Sequence, residues 1–234
     1  MRKLRPATCL TVDDERVLAG LGSSVRRVGR GDILLEGTEP QSFILILEGW
    51  VGRYKQLENG GRKITTIFLP GDLCEPFGAL PKFLDYSLAA FTPVLMASLA
   101  PKALRQAAAD NARIEQALWW DLLLTDALAR EHMVSLGRRS AIERLGHFFC
   151  EIYLRLNMIG LADRASYPMP LTQSDLADLL GLTPVHINRS LQEMRGHNLL
   201  SLRDRRITIH DLRALRELSM FDPTYLPQTD TAHV

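Results

Sequence analysis

Leu171-Thr-Gln-Ser-Asp-Leu-Ala-Asp-Leu-Leu-Gly-Leu-Thr-Pro-Val-His-Ile-Asn-Arg-Ser-Leu-Gln-Glu-Met194 is the stretch on which the reading of this chain turns. Thr172 and Asp175 have the spacing of a capping box, so a helix is expected to start there. Leu176, Leu179 and Leu180 supply its buried face, and Ala177 is small enough for a second helix to cross closely. Gly181 can adopt the left-handed backbone that stops a helix. Thr183 then caps a second helix, with Pro184 in the first turn, where its missing N–H costs nothing. Ile187 and Leu191 turn inward, which leaves His186, Asn188 and Arg189 outward near the start. Two short helices joined by a tight turn make a helix-turn-helix, whose second helix presents its first turns to base edges in the major groove. The alternative is an αα-hairpin with no DNA role.

The residues after this pair of helices favour DNA. Leu199–Leu202 and Arg206–Ile209 alternate as two strands around Arg203-Asp-Arg, a winged hairpin with a cationic tip. Arg203 and Arg205 suit phosphate oxygens, which position a protein without reading sequence. Arg189 suits the O6/N7 edge of guanine, and Asn188 could read adenine or hold a phosphate. His186 is expected on a phosphate. Thr172, Gln173, Ser174 and Thr183, at the starts of the two helices, complete the candidate DNA contacts. The chain carries a net charge of only +1, so the attraction must be local. Between His186 and His210 five arginines face two acids.

Upstream, Ala103–Leu136 contains no Pro or Gly and is rich in Ala, Leu, Arg and Gln, so one long helix is expected. Its length, roughly 50 Å, exceeds what one small domain covers. Leu118, Leu122, Thr125, Ala129, Met133 and Leu136 form one stripe, and Trp119, Leu123 and Ala127 a second apolar face. One face would serve the chain's own core and the other a second copy. Gly137 is the expected hinge, Ser140–Asn157 the next helix, and Ala162–Pro170 a loop. Before all this, residues from about Val25 to Leu99 read as short strands separated by turn signals such as Asn59-Gly60. Many short strands at regular spacing indicate a barrel or roll. Asp13–Leu21 could be a short helix ahead of it.

The bulk composition, 46% hydrophobic and 24% charged, is that of a globular protein. The amino-terminal Met1-Arg-Lys-Leu-Arg is followed by Asp13-Asp-Glu rather than an apolar run, so no signal peptide is expected. The uncharged run Tyr86–Pro101 is short of a membrane span and is interrupted by Pro93. Cys9, Cys74 and Cys150 lie far apart, which fits reduced thiols in the cytoplasm better than a disulfide framework.

Residues from about Gly31 to Leu218 resemble the Crp/Fnr family of bacterial transcription regulators. Gly31-Asp-Ile-Leu-Leu-Glu-Gly37, Phe43–Gly49 and Pro70-Gly71-Asp72 match that family's β-roll, Leu171–Leu191 matches its DNA-binding motif, and Arg189 falls on its base-reading arginine. The resemblance implies an α+β chain. Its parts would be a cyclic-nucleotide-binding-type β-roll over 1–102, a dimerisation helix over 103–137, a winged helix-turn-helix over 138–220 and a tail over 221–234. It also implies double-stranded DNA, a second copy of the chain and RNA polymerase as partners. Two departures stand out. Pro184 and Val185 replace the family's usual basic and acidic base readers, so the half-site should differ. Ser190 occupies a position that is normally apolar.

For the sensor, the resemblance directs attention to Cys74, Glu75, Tyr86 and Ser87 as effector-binding candidates. Members that bind cyclic AMP clamp its phosphate with an Arg-Ser pair, and here the stretch reads Asp85-Tyr-Ser. A buried phosphate without a guanidinium would be poorly compensated, so the signal is expected to be another small molecule or none. No cofactor or metal is expected. An iron–sulfur cluster needs about four thiolates, and only Cys9 and Cys74 precede the long helix. Residues 1–131 contain no histidine for haem or for a cupin-type metalloenzyme, the reading from a different class. Cys74 could be a redox thiol or a buried, inert one. A third reading is a regulator whose roll binds no ligand.

Overall fold

The computed structural model describes residues 3–4, 10–36, 42–74 and 86–227. The chain divides into two compact units, Met1–Asp126 and Ala127–Val234.

The first unit begins with helix α1 (Val12–Gly20), whose capping box joins Thr11 and Asp14. Strands β1 (Gly22–Val28), β2 (Ile33–Glu36), β3 (Phe43–Glu48), β4 (Val51–Gln56), β5 (Arg62–Phe68), β6 (Leu73–Cys74), β7 (Ser87–Ala90) and β8 (Val94–Leu99) follow. They form two antiparallel sheets, ordered β1-β8-β3-β6 and β2-β7-β4-β5. This is the expected roll. Leu34, Val51, Phe68, Leu88 and Ala90 from one sheet meet Ile44, Ile46, Cys74, Val94 and Met96 from the other in a common core. The run Phe43-Ile-Leu-Ile in β3 is continuous rather than alternating because both its faces are covered. Ile44 and Ile46 enter the roll, while Phe43 and Leu45 pack with Leu18, Leu21, Leu104 and Leu118 of helical segments. Gly49 turns β3 into β4 with φ +91°, and a Cβ there would lie 2.4 Å from the Pro93 carbonyl oxygen.

The single helix expected over Ala103–Leu136 is in fact two, α2 (Pro101–Asp110) and α3 (Ala112–Arg138). Asn111 breaks it with extended backbone, φ −145° and ψ 105°. Its side-chain oxygen accepts from Arg113 N at 3.0 Å, and its Nδ2 donates to Asp14 Oδ1 at 2.5 Å. Arg113 Nε donates to the other Asp14 oxygen at 2.6 Å, and this guanidinium, with the Thr11 backbone, holds the Asp14 carboxyl well below the usual carboxylate range. Asparagine caps helices well, and a distant carboxylate rewards the break. The unit is tied a second time by Lys3. Its buried ammonium pairs with Asp72 in the β5–β6 turn at 2.7 Å and with Asp121 on α3. Burial pushes the Lys3 pKa down, but the two carboxylates outweigh it and the net shift is upward.

The second unit contains the end of α3, then α4 (Ala141–Met158), β9 (Ser166–Pro168), α5 (Gln173–Leu180), α6 (Pro184–Gly196), β10 (Leu200–Arg203), β11 (Arg206–Ile209) and α7 (Leu212–Leu218). Gly137 lies inside α3 rather than at a hinge. The break comes at Arg139–Ser140, where Ser140 and Glu143 form a capping box. Within the expected loop Ala162–Pro170, β9 pairs with β11 and makes a three-stranded sheet ordered β10-β11-β9. Tyr167, fully buried on β9, donates to the Phe149 carbonyl at 2.8 Å, which fastens the sheet to α4. The stretch assigned to a tail is folded as far as Pro227. Phe221 and Leu226 are buried, and Tyr225 donates to Glu151 Oε2 at 3.0 Å. Sequence-local patterns missed this because the anchoring partners sit on α4, some 70 residues earlier. Among the described residues no helix is long and apolar enough to cross a membrane.

Candidate nucleic-acid interface

The local signals of Leu171–Met194 map onto backbone almost one for one. Thr172 Oγ1 accepts from Asp175 N at 3.1 Å, and Asp175 Oδ2 accepts from Thr172 N at 3.0 Å. The Thr172 hydroxyl also donates to Asp175 Oδ2 at 2.7 Å, so this side chain is committed to the cap. Gln173 and Ser174 beside it are exposed. Gly181 ends α5 with φ +63° and ψ +40°, a conformation that strains any side chain. Thr183 caps α6 by accepting from His186 N at 3.2 Å, with Pro184 in the first turn. Ile187, Ser190, Leu191 and Met194 are buried, and Pro184, Val185, His186, Asn188 and Arg189 are exposed. Ser190 is therefore a small polar group on the packed side of α6.

The turn between α5 and α6 is held from below by a residue that sequence reasoning missed. Arg144 of α4 donates to the carbonyls of Leu180 at 2.6 Å, Arg139 at 3.0 Å and Leu136 at 3.1 Å. One guanidinium thus satisfies the open carbonyl ends of α3 and α5 together, a natural use of a cation at helix C-termini. Its only sequence signal was an arginine on the otherwise apolar side of α4. Next to it, His147 is buried against Phe221 and Tyr225. Glu131 lies 3.2 Å from its Nε2 but is bound to Arg139 at 2.6 Å. Burial, and then the Arg139 charge, lower the His147 pKa to about 3, so the ring is neutral and forms part of the core. The Cys150 thiol is pushed up by burial to about 12 and is inert.

The wing is a two-residue hairpin in which Arg203 pairs with Arg206. Asp204 and Arg205 take positive φ, +48° and +56°, which is the geometry of a tight type I′ turn built here without glycine. Met169 N donates to the Arg205 carbonyl at 2.8 Å and steadies the tip. Arg203, Arg205 and Arg206 are all exposed. Arg206 was not among the expected contacts, yet it stands on the same tip, 3.4 Å from Ser166 Oγ.

In the roll, Cys74 is fully buried on β6 and Tyr86 packs against the same core. Ser87 opens β7 opposite Tyr54. Glu75 lies outside the described residues, as do Cys9 and Asp85. The structure adds Arg53 of β4, whose guanidinium carbon lies 5.0 Å from the Phe68 ring centre and 4.9 Å from that of Tyr86. An arginine two positions after fully buried Val51 on one strand was the available signal, since such residues share a face. Among the described residues no three His, Cys, Asp or Glu side chains are grouped to hold a metal ion.

Residues 25–111 match the cyclic nucleotide-binding domain, and residues 143–218 match the Crp-like helix-turn-helix domain. The chain belongs to the Crp/Fnr family. The nitrogen fixation regulation protein FixK of Azorhizobium caulinodans is 26% identical to it over 205 residues, 87% of this chain and 82% of that one. The anaerobic regulatory protein of Pasteurella multocida is 27% identical over 213 residues, 88% of this chain and 77% of the other. The solved structure of FixK2 from Bradyrhizobium japonicum matches with a TM-score of 0.74 at 25% identity, covering 83% of this chain and 96% of FixK2. This Crp/Fnr protein is accordingly a DNA-binding transcription regulator and not an enzyme. Regulators of the family bind DNA and act as dimers.

Proposed function

We propose that this regulator works in the cytoplasm as a two-fold dimer that lays α6 in the major groove and reads guanine with Arg189 in each half of an imperfect palindrome. The half-sites lie about one helical turn apart, roughly 34 Å. The observation that carries the reading is Arg189 itself, exposed one turn into a helix whose start is capped, in the same unit as a three-arginine wing tip. Arg203 and Arg205 hold phosphates. His186, Thr183, Gln173 and Ser174 approach phosphates from the positive ends of α5 and α6, while Thr172, its N–H and hydroxyl both bound to Asp175, serves as the cap of α5. Asn188 reads adenine or holds a phosphate. RNA polymerase is the partner through which the bound dimer changes transcription.

The dimer seam lies on α3. Of its two apolar faces, Leu118 packs into the first unit's own core, while Trp119 and Leu123 are 54% and 62% exposed. Val134 and Met133, 48% and 63% exposed, continue that face, Met133 lying where the Leu118 stripe borders it rather than within that stripe. Met133 stands 14 residues from Trp119 and Val134 stands 11 from Leu123, each close to a whole number of helical turns. The roll responds to an effector other than cyclic AMP, near Cys74, Glu75, Tyr86 and Ser87, because tyrosine stands where the phosphate-binding arginine is expected. Cyclic AMP at millimolar concentration should leave the melting temperature unchanged.

The test is selection of bound DNA from a random library, with wild type and variants at two salt concentrations. Arg189→Ala should cost about 1–3 kcal/mol per half-site and relax one symmetric position. Loss of Arg203 or Arg205 should weaken all sequences alike and reduce the salt slope by about one per contact. If Arg189→Ala keeps full sequence preference while a wing variant loses it, the reading element lies elsewhere.

A further inference from the structure

At 75% exposure, Val185 is the most exposed of the large hydrophobic side chains among the described residues. Single exposed apolar residues are commonplace, so the exposure alone says little. Its position says more. Val185 is in the first turn of α6, four residues before Arg189, which places the two on one face of the helix. Side chains tilt toward a helix's N-terminus, so Val185 leads at the end of the helix that meets the bases. Pro184 before it carries no hydrogen-bonding side chain and no N–H. The amide of His186 behind it is aimed at Thr183 Oγ1. The leading edge of the helix is thus apolar, with hydrogen-bonding side chains only from His186 onward. Helix propensity does not favour valine at an exposed site, whereas its stiff χ1 makes it a preorganised apolar contact.

We infer that Val185 is a specificity-determining residue that packs against the C5-methyl group of a thymine, within about two base pairs of the guanine read by Arg189. On the major-groove edge of the four base pairs, the thymine methyl is the feature an aliphatic side chain can recognise. The distance follows from geometry. Four residues along a helix span about 6 Å, and successive base pairs are about 3.4 Å apart. The inference rests on α6 being the groove-entering helix.

The experiment uses the full chain and the operator obtained by selection. Each thymine of the half-site is replaced in turn by deoxyuridine, which lacks only the methyl group, and affinity is measured by fluorescence anisotropy. One symmetric thymine should be sensitive, with affinity falling about fourfold per half-site and about fifteenfold when both are replaced. With Val185→Ala the thymine-to-uracil ratio at that position should fall to about one. Val185 is exposed, so that variant should melt as wild type does. Absence of any uracil-sensitive thymine, or a sensitivity that survives Val185→Ala, would overturn the inference. A parallel measurement with Arg189→Ala separates the two claims: if it leaves the operator preference intact, the placement of α6 fails, whatever the uracil scan shows.

Discussion

In the second unit the caps Thr172–Asp175 and Thr183–His186 each close over three residues, whereas in the first unit Lys3 meets Asp121 across 118 positions. The contrast is between the helix-turn-helix and the roll rather than between every tie of the two units, since Thr11–Asp14 is a local cap in the first and Tyr225–Glu151 spans 74 positions in the second. The DNA-binding unit sets the ends of its two interface helices and its hairpin by local devices, to which Arg144 adds one longer tie at Leu180. The roll is held by pairs that the chain brings together only when both sheets and the helices have closed. The first kind of structure is robust to single changes, because each cap contributes about 1 kcal/mol. The second concentrates its stability in a few buried charges.

That difference can be broken at Lys3. Lys3→Met leaves the Asp72 and Asp121 carboxylates buried without this cation, and loss of one partner from a buried ion pair costs about 3–5 kcal/mol. Calorimetry should show the transition of the first unit falling while that of the second stays in place. Equal shifts of both transitions would mean that the units do not unfold separately.

The next largest effect is expected on α3. Leu123→Asp puts a charge into the proposed seam and should weaken dimerisation by about a hundredfold. Leu118→Asp should instead destabilise the first unit, since Leu118 packs against Phe43, Leu99 and Leu104. Sedimentation and melting together tell the two faces apart. A Leu123→Asp protein as dimeric as wild type would place the seam elsewhere.

His147 sharpens the picture within the second unit. Its pKa is lowered in the folded chain to about 3, from about 6.5 when unfolded. The unfolded chain therefore takes up a proton that the folded chain refuses. The contribution is complete above pH 6.5 and is lost as pH falls toward 3, at about 1.4 kcal/mol per pH unit. Glu151, pushed up by burial, titrates in the opposite sense, with stability lost as pH rises above its unfolded pKa. The difference between wild type and His147→Gln isolates the histidine. By pH 4.5 the wild type should have lost about 2–3 kcal/mol more than the variant. Parallel curves would mean that the imidazole is already exposed to solvent.

The smallest effect is expected at Arg144. Arg144→Met removes charge-assisted hydrogen bonds to the ends of α3 and α5 and should cost roughly 1.5–3 kcal/mol. It should weaken DNA binding more than its stability loss explains, because Gly181 and the start of α6 lose their support. An unchanged affinity would show that the cap at Thr183 suffices to aim α6.

Much of this was legible in the amino-acid sequence alone. Thr172, Asp175, Gly181, Thr183 and Pro184 state where two helices begin and end, because capping and left-handed turns are interactions among near neighbours. Asn59-Gly60 marked the β4–β5 hairpin for the same reason. The break at Asn111 was not legible. Helix propensity permits either outcome there, and the choice depends on Asp14, 97 residues away, reaching Asn111 and Arg113. Nor was the fold of 221–227, where Phe221 and Tyr225 acquire their meaning from His147 and Glu151 on α4.

The sequence by itself determined the strand-rich first part, the helix-turn-helix and the cationic wing, because those depend on backbone preferences and hydrophobic period over windows of a few residues. The break at Asn111 and the strand β9 came only with folding. Only the tertiary structure decided what Arg144 and Arg53 face. Arg189 is outward by helical spacing already, but that Arg144 is folded against helix ends and Arg53 laid between Phe68 and Tyr86 came only with folding. The same side chain can read a base, tie two helices or stack in a roll. A guanidinium's role is set by the groups within about 5 Å of it, and those groups come together only on folding.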